Sequence, residues 1–175
     1  MKPKTLLLAL LAFVLLTASE CKKEDLTTLP PETQEGKNTF GCLINGEVFT
    51  RGKIFGLMLQ VTARYWLSDK QLRIESHLSP TGNIYMYMHN PVPNQQLQIT
   101  SCYYSPNDGD YSKCFYFGGK NTGEIIFTKL DTVNLIVSGR FKFDAQCVDA
   151  HDNVVGDSIV NITEGRFDIK LRVYE

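Results

Sequence analysis

Two stretches of this chain alternate apolar and polar residues with a strict period of two. Leu72, Ile74, Ser76 and Leu78 alternate with Gln71, Arg73, Glu75 and His77, and Phe167, Ile169, Leu171 and Val173 alternate with Arg166, Asp168, Lys170 and Arg172. That period puts one set of side chains on each face of an extended strand, one face buried and the other wet. Downstream of residue 20 no ten-residue window carries the 3.6-residue period of an amphipathic helix. The chain is therefore expected to be all-β.

The remaining strands follow from the same rule and from the turns between them. Asn45-Gly46 lies between apolar runs at 40–44 and 47–49 and signals a tight hairpin, because both turn residues need positive φ. Residues 57–65 alternate, Ser68-Asp69-Lys70 turns the chain, and 79–82 turns it again. Residues 84–88 are apolar on both faces and read as a central strand; 89–96, with Pro91 and Pro93, reads as a loop. Further strands are expected at 97–104, 112–117, 124–130 and 135–145. Val160 and Ile162 fall on even numbers and the later apolar residues on odd ones. The phase slips at Glu164-Gly165, as in a β-bulge or a tight turn. About nine to ten short strands with frequent turns predict a single antiparallel β-sandwich, or a partly open barrel, over residues 39–175.

The N-terminus has a different character. Lys2 and Lys4 precede eleven apolar residues at 6–16. As a helix these span about 16 Å, half of a ~30 Å hydrocarbon core, so they suit the apolar part of an export signal and not a resident span. Ala18-Ser19-Glu20-Cys21 resembles the lipobox of bacterial lipoproteins, with Glu20 standing where the pattern has a small residue. The expected division is a signal peptide at 1–20, then a lipidated Cys21 and flexible linker at 21–38. The competing reading is ordinary signal cleavage near Ala18–Glu20, leaving a soluble chain. Residues 22–38 are polar and carry Pro30-Pro31, and as a coil they reach roughly 20–25 Å. The formal net charge is −1 over 175 residues, with no basic surplus to attract nucleic acid.

Cysteine parity bears on the anchor. If Cys21 of the five cysteines is acylated, an even four remain: Cys42, Cys102, Cys114 and Cys147. A hairpin register that sets Cys102 opposite Cys114 also puts Ile99, Phe115 and Phe117 on one face, so a Cys102–Cys114 disulfide is expected, with Cys42–Cys147 by elimination. The alternative is that some of these thiols are simply buried small side chains.

Residues that could carry chemistry are few. His77, His89 and His151 have no metal-ligand spacing, and Asn107-Asp108-Gly109-Asp110 lacks the rest of a calcium loop. Ser138-Gly139 lacks the frame of a nucleophile elbow, so no catalytic residue, metal or cofactor is expected. Tyr85, Tyr87, Tyr103, Tyr104, Tyr111, Tyr116 and Trp66 could form an aromatic platform for sugar rings, although cross-strand packing explains tyrosines equally well. Asp131-Thr132-Val133 and Asp157-Ser158-Ile159 resemble the acceptor of Bacteroidota protein O-glycosylation, at Thr132 and Ser158.

Lys22-Lys23-Glu24-Asp25 is similar to the export tag that follows the lipid cysteine in surface lipoproteins of Bacteroidota. Asn38-Thr-Phe-Gly-Cys-Leu-Ile-Asn-Gly46, Ser138-Gly-Arg-Phe-Lys-Phe-Asp-Ala145 and Ile162-Thr-Glu-Gly-Arg-Phe-Asp168 resemble a Bacteroidota lipoprotein family of unknown function. The resemblance implies an all-β lipoprotein tethered to the outer membrane and displayed at the cell surface. The expected role is a binding or accessory module whose partner is a glycan or an envelope protein. The alternative is a structural or assembly subunit of an outer-membrane uptake or adhesin complex.

Overall fold

The computed structural model describes residues 27–50, 53–54, 57–58, 61–77, 82–106, 115–118, 123–149 and 153–175. Residues 1–26 with Cys21, residues 78–81 and 107–110, Tyr111, Cys114 and His151 lie outside them. Among the described residues there are thirteen strands and no helix. In chain order they are β1 (Thr39–Ile44), β2 (Glu47–Thr50), β3 (Lys53–Ile54), β4 (Leu57–Met58), β5 (Val61–Trp66), β6 (Gln71–His77), β7 (Asn83–His89), β8 (Gln96–Gln98), β9 (Ser101–Ser105), β10 (Phe115–Gly118), β11 (Gly123–Asp131), β12 (Ile136–Val148) and β13 (Val154–Tyr174).

The two long strands β12 and β13 form the spine. They pair antiparallel from Ile136 opposite Lys170 to Val148 opposite Val154. Each changes its other neighbour along its length. β12 pairs β11 over residues 136–143 and then β10 over 146–148. β13 pairs β1 over 162–168 and then β5, in parallel, over 171–174. The pairings therefore close a ring of seven strands, β13-β5-β6-β7-β9-β10-β12 and back to β13. β1 with β2, and β11 with β8, extend the sheet beyond the ring. Switching neighbours at bulged corners is how two stacked sheets become a barrel.

The all-β single domain agrees with the alternation in the sequence, and the finer count does not. The expected strand over 97–104 is broken, because Ile99 donates to the Gly123 carbonyl on one side while Thr100 donates to the Tyr87 carbonyl on the other. The chain crosses from β11 to β7 between those two residues. Of the run expected at 57–65, β4 and β5 are described, and residues 59–60 between them lie outside the described residues.

Asn45 and Gly46 have φ of 50° and 86° and make the β1–β2 hairpin turn, as their sequence requires. The phase slip near Glu164 is a bulge. Thr163 and Glu164 together oppose only Lys142 on β12, and Glu164 has φ 50°. Gly165 follows because the Phe141 ring lies against it; a Cβ there would stand 2.6 Å from that ring. The extra residue returns Phe167, Ile169 and Leu171 to the core. There Phe141 packs on Phe40 and Phe167 with ring centroids 5.2 and 6.2 Å apart. Ile74, Ile84 and Met86 join the same core from β6 and β7.

The cysteine pairings expected from the sequence are not present. Neither Cys42 nor Cys102 takes part in a disulfide, and both are fully buried. The β9–β10 register sets Cys102 opposite Gly118, four positions along from the register that would face it to Cys114. Cys102 points into the core, where its thiol donates to the Gly118 carbonyl at 3.4 Å, and Tyr103 and Phe117 face outward. Burial raises the Cys42 thiol to about 12, which keeps it protonated and inert. Cys147 is disulfide-bonded, and neither Cys42 nor Cys102 is its partner.

The segment expected to be flexible linker is docked over its described part. Asp168, 1% exposed, accepts from the Thr33 hydroxyl at 2.6 Å, from the amides of Glu35, Gly36 and Lys37 at 3.1, 2.8 and 3.2 Å, and from the Ser138 hydroxyl at 2.8 Å. Burial pushes this carboxyl up, but the bonds from Thr33, Ser138, Gly36 and Lys37 outweigh it and hold the group below its ordinary value. Glu32 pairs with Arg140 at 2.5 Å, and Asn38 Oδ1 accepts from the Lys170 amide at 2.9 Å. A polar, proline-bearing sequence reads as coil because nothing local orders it; here one buried carboxylate from the far end of the chain does so.

Candidate functional site

The outward face of β5, β6, β7, β9 and β10 carries two adjoining cross-strand rows. The first runs Thr62, Glu75, Tyr85, Tyr103, Phe117. The second runs Arg64, Arg73, Tyr87, Ser101. The alternation makes these rows: Leu72, Ile74, Ile84, Met86, Cys102 and Tyr104 take the core side of the same strands, so their neighbours face out.

Glu75 organises the charged half. It is 6% exposed although it stands on the outward face. Its Oε2 accepts from the Thr62 hydroxyl at 3.2 Å and from Arg64 at 3.1 Å, and its Oε1 pairs with Arg73 Nε. A carboxylate taken out of water needs such partners. Arg73 in turn lies over the Tyr87 ring, 5.1 Å from its centroid. The phenol of Tyr85 is raised above its ordinary value by desolvation and, secondarily, by the nearby Glu75 charge.

The aromatic half is contiguous. Tyr87 meets Tyr103 edge-on at 6.2 Å, and Tyr103 meets Phe117 at 4.9 Å. His77 sets its edge to Tyr85 at 6.3 Å and its Nδ1 is 2.8 Å from Asn83 Oδ1. Tyr85, Tyr87, Tyr103 and Phe117 are each partly exposed. Such a surface offers ring faces to apolar patches of a ligand, with guanidinium, phenol and amide groups at their margins.

Of the residues singled out in the sequence, Tyr85, Tyr87 and Tyr103 come together here. Tyr104 does not, being a core residue at 7% exposure. Trp66 lies at the end of β5 and stacks on Tyr174 at 5.4 Å. Tyr111 and the Tyr116 side chain lie outside the described residues. The sequence alone does not mark Phe117, Arg64, Arg73 and Glu75 as site residues, though Arg73 and Glu75 occupy the polar phase of the cleanest alternation in the chain.

On the opposite side a cleft of about 290 Å³ is lined by Glu32, Glu124, Ile126, Arg140, Phe141, Lys142, Glu164, Gly165 and Arg166. Its cations are matched one for one: Arg140 to Glu32, Lys142 to Glu124 at 3.0 Å and Arg166 to Glu164 at 3.6 Å. It presents no unmatched charge to a ligand. Thr132 and Ser158 are both exposed, and the Asp131 carboxylate accepts from the amides of Val133 and Asn134, which shapes the turn that carries Thr132. Among the described residues no three His, Cys, Asp or Glu groups converge as a metal site.

No family model, no curated protein and no solved structure matches this chain.

Proposed function

We propose that this chain is an outer-membrane lipoprotein, anchored at Cys21, whose β-domain binds a glycan on the outward face of β5, β6, β7, β9 and β10. The observation that carries the reading is the continuous Tyr87–Tyr103–Phe117 array with Arg73 fixed over Tyr87 by Glu75. Four aromatic rings on the wet side of a sheet are costly to leave uncovered, and sugar rings stack on such faces through their C–H surfaces. The mechanism is passive recognition by a rigid face, with no chemical step. Exposed Thr132 and Ser158 fit a further role as glycosylation acceptors.

A second reading, an assembly subunit, is favoured by one feature. The start of β13 extends past β1, whose pairing begins at Ile162, and Val154, Val155 and Ile159 there are 58, 45 and 54% exposed. An exposed apolar strand end is a surface for another chain.

A glycan array probed with the soluble domain, residues 22–175, separates the two. Binding that is lost in Tyr103→Ala supports recognition through the aromatic face. No bound glycan, together with self-association abolished by Val155→Lys, favours assembly.

A further inference from the structure

We infer that the docked arm at 32–38 fixes the domain's attitude, so that the outward face of β11, β12 and β13 meets the lipid surface and the aromatic face looks away from it. This rests on the lipid anchor at Cys21 proposed above.

The arm crosses one side of the barrel only. Its partners there are Lys129, Arg140, Asp168 and Lys170, all on the outward side of β11, β12 and β13. The aromatic face is centred on β7. Around the ring β7 is three strands from β13, through β5 and β6, and three from β12, through β10 and β9. It is therefore diametrically opposite the strands that the arm covers.

Chain length limits what the anchor can reach. Six residue-to-residue steps lead from Cys21 to Thr27, the first described residue, and at ~3.3–3.6 Å each they extend about 20 Å at most. A ring of seven strands spaced ~4.8 Å and tilted ~40° is about 14 Å across its backbones, and roughly 25 Å with side chains on both sides. An anchor leaving from the arm side cannot pass around the barrel to lay the aromatic face on the bilayer. A free coil from residue 22 to 38 would have allowed that; docking removes the slack. Arg140 is paired with Glu32 and Lys142 with Glu124 on the facing surface, which leaves little net charge there, so the attitude is set by the covalent tether more than by attraction to anionic headgroups.

The test uses the full lipidated chain in vesicles that contain headgroup-quencher lipid. A fluorophore is attached at Lys142→Cys on the arm side or at Ser101→Cys beside Tyr87. Cys42 and Cys102 are buried and do not compete for label. The expected result is loss of fluorescence at position 142, little at 101, and the same difference in high salt. Adding Asp168→Asn, which frees the arm, is expected to narrow it. Equal quenching at both positions, or stronger quenching at 101, overturns the inference while the anchor stands. A chain that does not float with vesicles and shows no acyl mass on Cys21 overturns both.

Discussion

Ser138 and Asp168 stand opposite each other on β12 and β13, and the Ser138 hydroxyl donates to Asp168 Oδ1 at 2.8 Å. Both are buried on the outward face of the spine, where sequence alternation places solvent-facing residues. They are buried because residues 33–37 lie over them. Asp168→Asn turns an acceptor into a donor facing the Thr33 hydroxyl and the amides of Glu35 and Lys37. It is expected to cost about 2–4 kcal/mol, read from urea denaturation. Amide exchange at Glu35, Gly36 and Lys37 should accelerate, and a chain truncated to start at residue 39 should be destabilised to a similar degree. An unchanged denaturation midpoint in both variants contradicts the docking.

Acid should loosen the same contact. Asp168 is held below its ordinary carboxyl value in the fold, so the stability it contributes is complete above that unfolded value, 3.8, and is lost as pH falls through the lower folded one. Asp131 shifts in the same direction, chiefly through the Asn134 amide, but it is a partly exposed group at the protein surface and contributes little. Urea midpoints should be flat near neutrality and decline below about pH 4. Asp168→Asn should flatten that decline; an equally steep fall in the variant contradicts the assignment.

The parts of the fold legible in the sequence are those where local pattern and tertiary burial agree. Asn45-Gly46 specifies its own turn, and Leu72–Ser76 and Phe167–Val173 show their core face directly. The Glu164 slip is legible because a bulge must shift the phase. What was not legible depends on distant partners. Nothing near Thr33 announces Asp168, and nothing near Ile99 announces that Gly123 and Tyr87 will divide its strand. The cysteine register failed for the same reason: several hairpin registers preserve the alternation at Cys102, and only the packing of Cys102 into the core against Gly118 selects one. The aromatic face was half legible, since tyrosines at 85 and 87 share a phase. Its Glu75–Arg73–Tyr87 arrangement needs the β6–β7 pairing.

The thiols should divide by reactivity. Cys42 and Cys102 should resist alkylation of the native protein at neutral pH and react once it is unfolded. Cys147 should react only after reduction. If Cys21 carries lipid, the bridge to Cys147 must use Cys114, and non-reducing peptide mapping should recover that pair. A Cys42–Cys147 or Cys102–Cys114 peptide contradicts the structure, and Cys21–Cys147 contradicts the anchor.

Gly165→Ala forces a methyl into the Phe141 ring. It should destabilise by about 1–3 kcal/mol, as overpacked sites do. The effect should be smaller in a Phe141→Leu background, since the two residues share one space. Additive losses in the double variant would show that the strain lies elsewhere.

The central claim is that the Tyr87–Tyr103–Phe117 face is a recognition surface and not merely packing. Affinity electrophoresis of the soluble domain through gels containing a panel of neutral and acidic polysaccharides measures this directly, with Tyr87→Ala and Tyr103→Ala beside the wild type. At least one polysaccharide should retard the wild type, and each variant should bind roughly tenfold more weakly, a loss of about 1–1.5 kcal/mol per ring contact, with its thermal midpoint little changed. Equal retardation of wild type and variants, or mobility unaffected by every polysaccharide, contradicts the claim.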